Sequence, residues 1–133
     1  MNQVDVKTLA GYDLVGLGCP VFYYKEPSNV SDFIEDLPEL KEKQWFVFYS
    51  HGAVPGITLH SMMEQLEKKG RRVIGNFDVY ADASIPFYPR PTYTTGHPDG
   101  KDLKDAHNFG RYIAGCSIEV SKGNMGGIKS RCL

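Results

Sequence analysis

The sequence predicts an α/β domain in which one parallel sheet carries helices on both faces, a three-layer arrangement. Three continuous apolar runs, typical of strands covered on both sides, are each followed by a segment with helical spacing of its apolar residues. Strands that alternate with helices in this way are joined by right-handed crossovers and are therefore parallel. Ligands of such sheets bind at the carboxyl ends of the strands, so the loops that leave those ends are where a site is expected.

The predicted elements follow from these runs and from the residues that punctuate them. The predicted strands are YDLVGLGC (12–19), QWFVFYS (44–50) and RRVIGNFDVYA (71–81). The predicted helices are SNVSDFIEDL (28–37), TLHSMMEQLEKKG (58–70) and KDLKDAHNFGRYIAG (101–115). Ser28 or Ser31 is the expected N-cap of the first helix and Pro38 its end, and Gly70 stops the second. A loop with four prolines precedes the third helix, as turn-forming residues predict.

Size and charge limit the function classes. The 133 residues fit one domain, and 15 Lys and Arg against 16 Asp and Glu give a net charge of -1, without the basic excess that nucleic-acid binding requires. There is no apolar run long enough to cross a membrane and no signal-peptide pattern, so we expect a cytoplasmic protein that does not bind membranes. Cys19, Cys116 and Cys132 form no C-x-x-C pair, which indicates free thiols in a reducing compartment.

Three consecutive aromatic residues, Phe22, Tyr23 and Tyr24, follow the first strand, and the loop SHGAVPG (50–56) follows the second. Both loops leave carboxyl ends of neighbouring strands, so the sequence predicts that they lie side by side. A planar ligand could lie on the aromatic rings of the first loop while the second loop contacts its edge. The same rings are equally suited to a hydrophobic cap over the sheet edge, and the sequence leaves both interpretations open.

Other chemistry is less favoured. Ser50 and His51 resemble a nucleophile and a base, but adjacent residues seldom point at each other, and no G-x-S-x-G elbow is present. Cys19 is more consistent with a small buried hydrophobe than with a redox thiol. The four histidines do not fall at metal-ligand spacings. An enzyme built on Ser50, His51 or Cys19 is therefore the weakest hypothesis, and we expect no metal site.

The segments YDLVGLGCPVF, FVFYSHGAVPG and LEKKGRRVIGNFDV, in this order, resemble the flavodoxin-like family, and within it the flavodoxin domains that precede a ferredoxin module. The resemblance covers residues 10–113. It implies FMN as cofactor and electron transfer to a redox protein, an electron carrier or redox subunit rather than a stand-alone catalyst. Phe22 or Tyr23 would stack on the flavin ring, and backbone amides around Gly52 would bond its pyrimidine edge. The implied flavin-binding residues are Cys19, Pro20, Val21, Phe22 and Tyr23 in the first loop and Ser50, His51, Gly52, Ala53, Pro55 and Gly56 in the second.

The chain departs from the family pattern at its start. The family opens with a strand, a Ser/Thr-rich phosphate loop at a helix N-terminus and a second strand, whereas residues 1–12 resemble the approach to the third strand. We therefore expect a flavodoxin-like domain in residues 1–115 that lacks the first strand-helix-strand, and a C-terminal extension in residues 116–133. A cofactor-free interaction subunit of a larger redox assembly is the alternative function.

The missing unit predicts an exposed edge. In the strand order 2-1-3-4-5, losing strands one and two makes DLVGLGC an edge strand and uncovers part of the last helix near Phe109 and Tyr112. We expect a homodimer joined at this edge or a subunit of a complex. Val4 and Val6 would allow the first ten residues to add a short strand there.

Overall fold

The computed structural model describes residues 6–38, 43–83 and 85–124. It contains one sheet of three parallel strands in the order β1-β2-β3. The strands are β1 (Leu14–Pro20), β2 (Gln44–His51) and β3 (Arg72–Tyr80). The helices are α1 (Val6–Leu9), α2 (Ser28–Asp36), α3 (Thr58–Lys68) and α4 (Gly100–Ser121). The predicted alternation of strands and helices is confirmed.

The two faces of the sheet are covered by different helices. Because strand side chains alternate between faces, Trp45 and Val47 of β2 point to one side, where they are fully buried against apolar residues of α2 and α3. Phe46 and Ile74 belong to the other side, where they pack with Ile113 of α4. The predicted three-layer architecture is therefore confirmed.

Two central residues on the α4 face of β1 are glycines. Gly16 and Gly18 lie beneath the rings of Phe46 and Phe48, and a Cβ atom added to either glycine would fall 2.4 Å or 2.1 Å from the tip of the ring above it. The two rings stack with 6.0 Å between centroids. The β2 rings thus lie across β1, in the space that β1 side chains would otherwise fill.

The first described residues form a helix, and the prediction that Val6 belongs to an added edge strand is wrong. Val6 and Leu9 are three positions apart, which places both on one side of α1, and both pack against the main core. Partial burial of these two side chains favours the helical turn. Val4, the other residue of the predicted strand, lies outside the described residues.

Two helix boundaries differ from those predicted. Pro27, and neither Ser28 nor Ser31, is the N-cap of α2, and it makes no side-chain cap. The Ser31 hydroxyl donates to the Glu26 carboxylate. The last helix continues six residues past Gly115 to Ser121, and Cys116 and Ser117 in this stretch are buried. Helix α4 therefore crosses residue 115, where the sequence predicted the domain to end.

Within the described residues, β1 is paired on one side only, as predicted for DLVGLGC. The predicted exposure of α4 is found at Tyr112 but less at Phe109, whose ring packs between Phe46 and Phe77 at centroid distances of 5.7 Å and 5.1 Å. In the part of the chain that the structure describes, no helix combines the length and apolar character of a membrane span.

Candidate functional site

The loop after β1 folds into a two-residue reversal, here called the aromatic turn (Phe22–Lys25). The Phe22 N–H donates to the Lys25 carbonyl at 2.8 Å, and the Lys25 N–H donates back to the Phe22 carbonyl at 3.1 Å. The two central residues, Tyr23 and Tyr24, have φ values of 48° and 66°. Turns of this kind normally carry Asn or Gly at these positions, because a Cβ atom is strained there. Tyr23 and Tyr24 therefore hold backbone strain, and strain of this kind clusters at functional sites in proteins.

The rings of the aromatic turn are exposed. Tyr23 is 97% accessible, and Phe22 and Tyr24 are each more than half accessible. Burial of these rings against the described chain therefore does not repay the backbone strain. The turn therefore exposes aromatic rings to solvent at the carboxyl ends of the strands.

The loop after β2 holds the aromatic turn from the other side. The Ile57 N–H donates to the Tyr24 carbonyl at 2.8 Å, and the Val21 N–H donates to the Ser50 carbonyl at 2.9 Å. Gly56 has a φ of +63°, and a Cβ atom on it would lie 2.0 Å from the Tyr24 carbonyl oxygen. Only glycine permits this approach. The two loops that the sequence placed side by side are in direct contact.

A buried carboxylate fixes the end of the aromatic turn. Glu26 is only 4% accessible, and its Oε1 accepts hydrogen bonds from the Ser31 and Ser61 hydroxyls at 3.0 Å and 2.7 Å and from the Gln65 amide at 2.7 Å. Its Oε2 is buried without a hydrogen-bond partner among the described residues. These bonds join the loop to α2 and α3, so the turn is anchored at both ends.

The loop after β3 adds further rings at the same edge of the sheet. Its fold is held by Asp82, whose carboxylate accepts from the Arg90 guanidinium at 2.8 Å and whose N–H donates to the His97 carbonyl at 2.8 Å. The sequence prediction assigned this loop no role, although its position directly after a strand was a signal that it could belong to the site. The exposed rings of this loop are Phe87, Tyr88 and Tyr93.

The fold of this chain is shared with known structures. A flavodoxin from the domain Archaea superposes with a TM-score of 0.67 at 19% sequence identity, covering 86% of this chain and 71% of that one. The fold is flavodoxin-like. The solution structure of two-electron reduced Megasphaera elsdenii flavodoxin matches with a TM-score of 0.51 at 31% identity over 56% of this chain and 57% of that one. No protein-family model and no curated protein matches the sequence.

In this flavodoxin-like fold, Ser50 and His51 do not form a nucleophile and base pair. They are successive strand residues and point to opposite faces. The buried His51 ring instead lies with Nε2 3.0 Å from Asp78 Oδ2 and Nδ1 2.6 Å from the Gly52 carbonyl. Its role is to join β2 to β3 beneath the second loop. Among the other residues assigned to that loop, Ala53 and Gly56 are exposed, and Gly52 and Pro55 are half-buried.

The Cys19 side chain faces the core. Its Sγ donates to the Met62 sulfur at 3.4 Å, and burial, together with the nearby Glu26 carboxylate, raises the pKa of the thiol to about 11. The thiolate needed for redox or nucleophilic chemistry is thus disfavoured. Of the residues assigned to the first loop, Pro20, Phe22 and Tyr23 are exposed and Val21 is half-buried, so these can meet a ligand.

The residues suit the ring of a flavin better than its phosphate. Exposed aromatic rings suit a planar heterocycle. The start of α4, in the segment TTGHPDG, is already capped, because the Asp99 carboxylate accepts from the Lys101 and Asp102 N–H groups and Asp102 accepts from the Asp99 N–H. That N–H, together with the His97 ring, holds the pKa of Asp102 below its ordinary value. Carboxylates thus already bond the N–H groups with which this helix N-terminus could bind a phosphate.

Proposed function

We propose that this chain is a flavodoxin-like electron-transfer module that binds FMN and exchanges electrons with a redox protein. The observation that carries the proposal is the aromatic turn, in which the two strained central residues expose their rings at the carboxyl edge of a parallel sheet. Ligands of such sheets bind at this edge. The similarity to flavodoxins, one of them solved in a two-electron reduced form, supports the same function.

Binding would rest on the first two loops. Tyr23 or Phe22 would stack on the flavin ring, and the backbone around Gly52 would meet its polar edge. FMN, when bound, supplies the capacity to accept and release electrons. The contribution of the chain is to hold the ring: the Ile57 to Tyr24 hydrogen bond and the Glu26 contacts fix the turn before any ligand arrives. Such preorganisation lowers the cost of binding.

An interaction subunit without cofactor is the second candidate. The capped start of α4 favours it, since its N–H groups are bonded to carboxylates and offer no phosphate site, and exposed aromatic rings are also common in protein interfaces. In that case the aromatic turn would contact a protein, and the purified chain would bind no flavin.

Titration of the purified chain with FMN, followed by quenching of flavin fluorescence, separates the two candidates. Replacing Tyr23 or Phe22 with Ala is expected to weaken FMN binding by about 1 to 3 kcal/mol, the scale of aromatic stacking on a planar base. Tyr12→Ala is the matched control, because Tyr12 is also exposed but precedes β1 at the opposite end of the sheet. If both loop variants bind FMN as tightly as the control, the aromatic turn is not the flavin site. Absence of FMN binding to the unmodified chain favours the interaction subunit.

A further inference from the structure

The His51 ring lies between two hydrogen-bond acceptors. Its Nε2 is 3.0 Å from Asp78 Oδ2, and its Nδ1 is 2.6 Å from the Gly52 carbonyl oxygen. A carbonyl oxygen and a carboxylate can only accept, so each of these contacts needs a hydrogen on the ring nitrogen. A neutral imidazole has one N–H and can therefore satisfy only one of the two contacts.

The two contacts together require an additional proton. It is carried either by the ring, as an imidazolium beside a carboxylate, or by the Asp78 carboxyl group, which then donates to Nε2. In both cases the pair of His51 and Asp78 holds one proton more than a neutral ring and a carboxylate. The His51 side chain is 4% accessible and that of Asp78 is 54% accessible, so solvent reaches the pair from the carboxylate side.

Two tyrosine rings also contact the His51 ring. Tyr49 of β2 and Tyr80 of β3 lie with their ring centroids 5.7 Å and 5.0 Å from it. Burial raises the pKa of Tyr49, and the interaction with Tyr93 raises the pKa of Tyr80. Both phenols are therefore neutral around pH 7 and do not supply a charge to the ring.

A second histidine and carboxylate pair lies close to this one but is separate from it. His97 contacts the Tyr80 ring with 5.6 Å between centroids and is bonded through Nδ1 to Asp102. In the part of the chain that the structure describes, Asp78 is the charged group that bonds the His51 ring.

The bond to His51 sets the direction of the first peptide unit in the second loop. This peptide is trans, and the C=O and N–H groups of a planar trans peptide point in opposite directions. Because the Gly52 carbonyl points to the ring, the Ala53 N–H points away from it. Ala53 is exposed, and its N–H has no acceptor among the described residues. Gly52 has no Cβ atom to restrict rotation of this peptide, so its direction depends on the bond to His51.

We propose that His51 is a positioning residue of the second loop: the proton that it shares with Asp78 fixes the Gly52 carbonyl and keeps the Ala53 N–H directed outward. A ligand that this N–H contacts would offer a hydrogen-bond acceptor, such as a carbonyl oxygen or a ring nitrogen at its edge. The inference concerns the free chain and does not depend on flavin binding.

The direction of the pH effect follows from the proton count. Raising the pH removes the shared proton, and the neutral ring then keeps one donor for two acceptors. Bonds to a charged acceptor are the stronger ones, so the ring retains Asp78 and releases the Gly52 carbonyl. The second loop is therefore fixed at lower pH and released at higher pH.

Nuclear magnetic resonance of the ¹⁵N-labelled chain tests the inference over a pH series from about 5 to about 9, the range around histidine titration. We expect both ring nitrogens of His51 to carry hydrogen at low pH and one of them to lose it as the pH rises. The amide signals of Gly52 and Ala53 should shift in the same step, because the peptide between them is then released.

Asp78→Asn tests whether the proton is shared. The variant removes the negative charge, which favours the protonated ring, so the step should move to lower pH by about one unit or more. Asp105→Asn is the matched control, since it removes an exposed carboxylate that pairs with Lys101 on α4, and it should leave the step unchanged. Circular dichroism of both variants verifies that each is folded.

Three outcomes overturn the inference. The first is a His51 ring that carries one hydrogen over the whole pH series. The second is a ring that loses a proton while the Gly52 and Ala53 amide signals stay in place, because the proton would then not hold the loop. Both are read from the unmodified chain. The third is a step that Asp78→Asn leaves at the same pH, because the proton would then not be shared with that carboxylate.

Discussion

Gly56 illustrates how one residue couples two loops. Its positive φ and its contact with the Tyr24 carbonyl are separate constraints, and both exclude a side chain. Gly70, between α3 and β3, shares the first constraint with a φ of +71° but has no atom within 4 Å of the position where a Cβ would lie. A comparison of Gly56 with Gly70 therefore separates the cost of backbone strain from the cost of the contact with Tyr24.

We predict that Gly56→Ala lowers the free energy of unfolding by more than Gly70→Ala does. The Gly70 variant should lose about 1 to 2 kcal/mol, the cost of a Cβ in the left-handed region. The Gly56 variant should lose that amount and more, because the aromatic turn must move away from the new methyl group. Urea denaturation measures both values. Equal losses would mean that the turn yields freely and is not held by the second loop.

At the level of elements, the sequence predicted the strands well, because a strand buried on both faces has a continuous apolar sequence. It predicted the helices less completely. The pattern did not reveal that α4 continues past Gly115, because the buried residues there are Cys116 and Ser117, which resemble loop composition. Helix α1 was missed because four residues give too short a period to recognise.

The start of α4 provides a test at this scale. Asp99→Ala removes the side chain that accepts from two N–H groups of the first turn and should lower the free energy of unfolding by about 1 kcal/mol. Asp105→Ala, on the same helix, removes only an exposed pair with Lys101 and should cost less than about 0.5 kcal/mol. Thermal or urea unfolding of the two variants compares them directly. A loss with Asp105→Ala as large as that with Asp99→Ala would contradict the capping role.

For the whole molecule, the candidate site was only partly predictable. The position of the two loops followed from strand order alone, and their contact is observed. The side-chain orientations did not follow. His51 contacts Asp78 and Cys19 contacts Met62, and a continuous apolar run does not show which face of its strand each residue occupies. The positive φ values of Tyr23 and Tyr24 were also unpredictable, since residues other than Gly, Asn and Asp seldom adopt them.

The capped start of α4 leads to a prediction about ligand choice. Riboflavin and FMN should bind this chain with dissociation constants within about threefold of each other, because the phosphate finds carboxylates at α4 in place of free N–H groups. Parallel fluorescence titrations of the two ligands measure the ratio. FMN binding more than tenfold tighter than riboflavin would direct attention to the starts of α2 and α3, where no side-chain cap is formed.

The common direction of the three strands gives the molecule two chemically different ends. The loops that follow the strands all lie at one end, and the seven residues of β1 place the opposite end roughly 23 Å away at about 3.3 Å per residue. That separation is several times the distance at which aromatic rings touch. A tag or surface attachment at the opposite end would therefore leave the three loops accessible, so the chain can be immobilised there without covering the exposed rings.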